Sequence, residues 1–154
     1  MKIKLVTSRE NALYIHLKLL VSSTQARKKA GLSVLDGAHL VSTYLERCGT
    51  PVTLVVSDSG IRKPEIARLI KAAGIEALQL SDSLFHSIST VVRDTGLMAT
   101  VETPQEALPP TVLDDCLLLE QIQDPGNMGS LLRSAAAAAT LRDSAPPGIG
   151  IIAR

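Results

Sequence analysis

The run Leu117-Leu118-Leu119-Glu120-Gln121-Ile122-Gln123-Asp124-Pro125-Gly126-Asn127-Met128-Gly129-Ser130-Leu131-Leu132-Arg133-Ser134-Ala135-Ala136 changes character twice. Its opening, Cys116 to Leu119, is a short apolar run of the kind that forms a buried strand. Asp124-Pro125-Gly126-Asn127 is a concentrated turn signal. Beyond it Met128, Leu131, Leu132, Ala135 and Ala136 recur at helical spacing, and the alanines favour helix strongly. The stretch therefore predicts strand, tight loop and helix, with Asn127 as the N-cap. Gly129 falls in the first turn, where a missing side chain lets another backbone approach, and Arg133, four residues on, shares its face. A helix start gathers unpaired N–H groups and partial positive charge, which suits an anion. An arginine one turn further in can hold a phosphate or act on a nearby hydroxyl. An ordinary strand-helix connection with a solvated arginine has the same outline.

Immediately upstream, Thr103-Pro104-Gln105-Glu106-Ala107-Leu108-Pro109-Pro110-Thr111 is proline-rich and aperiodic, and reads as an interdomain linker. The chain so divides into a first domain over 1–103, a linker over 104–113 and the start of a second domain over 114–154. Within the first domain Leu32–Leu35, Val52–Val56, Ile75–Leu80 and Leu97–Val101 read as strands. Helices are predicted between them, one running from the Asp36-Gly37-Ala38 turn to about Arg47, one starting at Pro64 and stopping at Gly74, and a short one capped by Ser81-Asp82-Ser83. This alternation implies an α/β sandwich with a parallel or mixed sheet, its core including Val34, Leu40, Leu54, Val56, Leu69 and Leu78.

The first thirty residues differ from the rest. Residues 1–30 carry seven cations against Glu10 alone, whereas 31–124 carry six against thirteen anions. Ser8 is the natural N-cap of a helix with Glu10 in its first turn. Leu13, Leu17 and Leu20 form its apolar face, and Asn11, Tyr14 and Lys18 a polar one. A second helix over Thr24–Ala30 carries Arg27, Lys28 and Lys29 and stops at Gly31. Lys18 and this triplet are placed to follow one nucleic-acid backbone, although a solvated helical arm would look alike. His39, beside the Asp36-Gly37 turn, either touches the same nucleic acid or hydrogen-bonds a strand end.

With 45% hydrophobic residues, 2% aromatic residues and no Trp, the core must be aliphatic. No apolar run reaches the roughly 20 residues of a membrane span, and the first residues lack the apolar region of a signal peptide. Cys48 and Cys116 are isolated, with no CxxC, and read as two buried thiols in a reducing, cytoplasmic setting. The three histidines are scattered, so no metal site is expected.

The stretch from Leu117 to Ala139 resembles the first signature motif of the SpoU (TrmH) family of RNA ribose 2′-O-methyltransferases. Asp124-Pro125, Asn127, Gly129 and Arg133 fall at that family's spacing, while Glu120 stands where an aspartate is usual. The N-terminal part is similar to the family's substrate-binding domain in Ser8-Arg9-Glu10-Asn11, in Gly31 to Val41 with its Asp36-Gly37-Ala38-His39, and in Ser83-Leu84-Phe85. After Thr90 the match loosens.

The resemblance implies a three-layer α/β/α RNA-binding domain akin to certain ribosomal proteins, then a linker, then the first strand and helix of a knotted methyltransferase domain that is truncated here. It implies Arg133 and Asn127 as catalytic residues and RNA contacts from Arg9, Asn11, Lys18, Arg27, Lys28, Lys29 and His39. It also implies S-adenosylmethionine as the cofactor of the full-length enzyme, with none expected on this chain, an rRNA or tRNA partner, and a homodimer at full length. Residues after Ala139 offer no further helix-then-strand pattern. Leu117–Leu119 is then expected to be an exposed edge, prone to self-association. Two other readings stay open: a stand-alone, non-catalytic RNA-binding module, and a small α/β protein whose basic arm binds a protein partner or an anionic metabolite.

Overall fold

The computed structural model describes residues 2–91, 96–104, 116–119, 122, 124–140 and 150–153. They fall into two compact units, Met1–Pro104 and Gln105–Arg154. Most of the proline-rich linker and the stretch from Leu141 to Ile149 lie outside the described residues, as does the loosened segment Val92–Thr95.

The first unit runs β1 (Ile3–Val6), α1 (Ala12–Ser22), α2 (Thr24–Ala30), β2 (Leu32–Asp36), α3 (Ala38–Arg47), β3 (Thr53–Ser57), α4 (Pro64–Ala73), β4 (Ala77–Leu80), α5 (Asp82–His86) and β5 (Leu97–Glu102). Its sheet has the order β1-β4-β3-β5-β2. β1, β4 and β3 are parallel, and β5 is antiparallel to both β3 and β2. β1 and β2 are thus opposite edges, and α1 with α2 carries the chain from one to the other. The sheet is mixed because β5 enters between β3 and β2 against their direction.

Successive residues of β3 point to opposite faces, and both faces are covered. Val55, Leu78, Leu80, Val6 and Met98 meet Tyr14 and Leu17 of α1 and Leu84 and Phe85 of α5. Leu54, Val56, Leu97 and Ala99 meet Val41 of α3 and Ile66, Ile70 and Ala73 of α4. This is a three-layer α/β/α arrangement, and it explains why β3 and β5 are apolar without alternation.

The four strands and the helix starts at Pro64 and Ser81 lie where the sequence places them, within two residues, and Gly31 and Gly74 end their helices in the left-handed conformation. Several expectations need correction. β1 is a strand that the sequence pattern does not predict, because four residues whose middle pair, Lys4 and Leu5, is exposed carry little apolar pattern. The N-cap of α1 is Asn11, whose side chain accepts the Leu13 N–H at 2.9 Å, while Ser8 only closes a turn on Glu10 N. The buried face of α1 also differs from the expected one: Tyr14 is buried with Leu17 and Leu20, and Leu13 is exposed. The Tyr14 hydroxyl is satisfied by Ser87 Oγ at 2.6 Å, which is why a tyrosine is tolerated in that core. Leu40 is 50% exposed, since Val41, one residue or about 100° around α3, points inward instead. Cys48, at the end of α3, is exposed.

The second unit contains β6 (Cys116–Leu119), α6 (Pro125–Thr140) and β7 (Gly150–Ala153). β6 and β7 pair in parallel, Cys116 opposite Gly150 through Leu119 opposite Ala153. The tail therefore continues the strand-helix pattern, contrary to the sequence reading, and β6 has a paired flank. Four residues following Pro146-Pro147-Gly148 are too short a signal for periodicity to detect.

Candidate functional site

In the first unit, the parallel strands and the reversed β5 bring the C-terminal ends of β1, β2, β3 and β4 to one end of the sheet, together with the start of β5. Ligands of open α/β sheets bind outside such strand ends. Here the rim is cross-linked by polar groups. Asp36, last in β2, accepts hydrogen bonds at one carboxylate oxygen from Ser89 Oγ (2.9 Å), Thr90 N (2.8 Å) and Thr90 Oγ1 (3.3 Å). Its other oxygen is buried and has no partner among the described residues. Gly37 (φ 119) donates its N–H to Leu97 O. Asp82, in the first turn of α5, accepts the Ser59 N–H at 2.8 Å. That backbone bond, with help from the Ser59 and Ser57 hydroxyls and nearby His86, holds its carboxyl below the ordinary value against an opposing cost of burial. Gly60 and Gly96 cross so closely that a Cβ on Gly60 would collide with the Gly96 carbonyl.

The residues proposed for RNA separate into two groups. Arg9 and Asn11 follow β1 and His39 follows β2, so all three lie at this rim. Arg9 and His39 are exposed, and the His39 ring has no partner among the described residues. Asn11 is committed to its cap. Lys28 and Lys29, by contrast, end α2 just before β2 begins, at the opposite end of the sheet. Both are exposed, as is Lys18. Arg27 differs in kind: its Nη1 donates to Leu20 O (2.7 Å) and Val21 O (3.0 Å), and its Nη2 to Thr24 Oγ1 (2.9 Å). It closes the carbonyl end of α1, a task that the run Arg-Lys-Lys does not reveal.

In the second unit the helix start is built by Asp124, not by Asn127. Asp124 Oδ1 accepts the Asn127 N–H at 2.7 Å and Asp124 O the Met128 N–H at 3.1 Å, so Asp124 is the cap and Pro125 the first helical residue. Asn127, in the first turn, keeps its side chain exposed. Arg133 is exposed and leans back along the helix, its Nη2 donating to Ser130 Oγ at 3.1 Å. Among the described residues no group of three or more His, Cys, Asp or Glu side chains could hold a metal, and no helix is long and apolar enough to cross a membrane.

No family profile matches the chain. It is 30% identical over 140 residues to an uncharacterized tRNA/rRNA methyltransferase of Synechocystis, covering 86% of this chain and 48% of that protein. It is 30% identical over 112 residues to the 23S rRNA (guanosine(2553)-2′-O)-methyltransferase of Bacillus subtilis, covering 73% of this chain and 42% of that one. The chain thus spans about half the length of these relatives. Its fold is that of the SpoU methyltransferase AviRb from Streptomyces viridochromogenes, solved with AdoMet, with a TM-score of 0.70 and 22% identity over 94% of this chain and 53% of that one.

Proposed function

We propose that the chain is the RNA-recognition unit and the opening strand-helix-strand of a SpoU-type RNA ribose 2′-O-methyltransferase that acts on rRNA or tRNA. The observation that carries this is the first half of α6, where Asp124 caps the helix and Arg133 leans back along it to Ser130. Similarity to rRNA and tRNA methyltransferases in sequence and to an AdoMet-bound SpoU enzyme in fold supports it.

A ribose 2′-hydroxyl is a poor nucleophile and must be polarised or deprotonated as the methyl group arrives. The guanidinium of Arg133 carries donors and no acceptor, so it cannot take that proton. It acts by donating hydrogen bonds to the developing alkoxide, leaving the proton to an acceptor such as the adjacent RNA phosphate. Asn127, in the first turn, orients the hydroxyl or its loop. S-adenosylmethionine would supply the methyl group. An adenosyl group needs a largely enclosed pocket, whereas the described residues of the second unit offer it one strand-end loop, so no residue here is assigned to it.

The test is methyl transfer to rRNA or tRNA by this chain or by a version extended to the relatives' length. Arg133→Ala should lower turnover by about 100-fold or more, and Arg133→Lys should recover little because the planar fork is lost. RNA binding that weakens steeply with salt, without methyl transfer by any version, would favour the stand-alone binding module instead.

A further inference from the structure

The glycine at 129 invites a second backbone, but what occupies the space beside it is Arg133. A Cβ built on Gly129 would stand 3.2 Å from Arg133 Nη1 and 3.9 Å from Cζ, and beyond its chain neighbours and the helix backbone no other described residue comes within 4 Å. Residues four apart share a helix face, and long side chains lean toward the N-terminus, so residue 129 is the one position whose side chain the guanidinium must cross. Ser130 supplies the matching hydrogen bond to Nη2. The arrangement draws a cation back toward the positive end of the helix dipole. An unconstrained arginine on an exposed face would extend into water instead.

We infer that Gly129 and Ser130 are positioning residues that seat the Arg133 guanidinium against the second turn of α6, where it presents its donors to an RNA phosphate or ribose oxygen. The inference rests on Arg133 acting in the proposed methyl transfer. Gly129 supplies the gap and Ser130 fixes the fork's orientation, while neither touches the substrate.

Side-chain NMR of the chain labelled at arginine tests the seat, with the Arg133 signals identified by their loss in Arg133→Lys. Gly129→Ala replaces a poor helix former by the best, so a purely structural effect would leave the melting temperature unchanged or raise it. The seat instead requires that Gly129→Ala and Ser130→Ala both shift the Arg133 guanidinium resonances, while Ser130→Thr, which keeps the hydroxyl, restores them. In a form of the protein that transfers methyl groups, Gly129→Ala should lower kcat by roughly 3- to 10-fold, because the 3.2 Å contact asks the guanidinium to give by a fraction of an ångström and a full ångström costs about 100-fold, with KM for RNA little changed. Arg133 resonances and kcat that are both unmoved by Gly129→Ala would overturn the inference. Failure of the functional reading is seen separately: Arg133→Ala would then leave methyl transfer intact, whatever the resonances do.

Discussion

Asp36 fastens the segment after α5 to the end of β2 through a single carboxylate oxygen that accepts from Ser89 and Thr90. Because the carboxylate is partly buried and its second oxygen has no partner among the described residues, the favourable bonds must outweigh a desolvation cost. Asp36→Ala should lower the stability of the first unit by about 1–3 kcal/mol in urea unfolding, and the Thr90 amide should exchange faster with deuterium. A Thr90 amide as protected as before would show that the segment is held by something else. Asp82 has a different signature. Its carboxyl is held below the ordinary value chiefly by the Ser59 N–H, so the folded state binds the proton less tightly than the unfolded one. That contribution is fully present above the unfolded pKa, near 3.9, and is lost as pH falls through the lower folded value. Asp82→Asn should therefore flatten the decline of stability below about pH 4, read as urea midpoints between pH 6 and 3. A decline equally steep in the variant would remove Asp82 from the account.

Among the elements, α1 and α2 show how one basic run is divided between structure and surface. Arg27 satisfies two carbonyls at the end of α1, where a cation also complements the helix dipole. Arg27→Ala should cost about 1–2 kcal/mol, measured by chemical unfolding. Lys28 and Lys29 are exposed, so replacing both with Ala should move stability by no more than roughly 0.5 kcal/mol. If α2 faces RNA, the double change should weaken binding and reduce the logarithmic salt slope by about two phosphate contacts. An unchanged slope would assign the RNA contact to the opposite rim, where Arg9 and His39 stand. The triplet is thus not one functional unit, and replacing all three residues together would confuse a lost cap with a lost contact.

For the whole molecule, the two units differ in how completely they enclose a core. The first buries both faces of a five-stranded sheet. The second pairs two strands with one helix among the described residues, and a two-stranded arrangement has little apolar surface to bury against itself. The same shortage bears on the cofactor, since binding it calls for several strand-end loops. Calorimetry of this chain with S-adenosylmethionine should give no saturable heat. A clear saturable binding curve would mean that the strand-helix-strand already carries the cofactor site.

The local chemistry of this protein was legible in its sequence wherever it depends on neighbours along the chain. Gly31 and Gly74 end helices because a left-handed residue is needed there, Pro64 begins one because it needs no N–H partner, and the apolar run at β3 signals a strand buried on both faces. The order Asp124, Asn127, Gly129, Arg133 was equally plain as a helix start followed by an arginine on the same helix. What sequence could not fix was direction and partnership across space. Asn11 and Asp124, not Ser8 and Asn127, cap their helices, because several polar residues compete at each start and the geometry of the incoming chain chooses among them. Tyr14 is buried because Ser87, seventy-three residues away, meets its hydroxyl. The joining of Asp36 to Thr90, the folding of Arg27 onto α1 and the pairing of β6 with β7 all exchange chain entropy for contacts whose partners only the tertiary fold brings within reach.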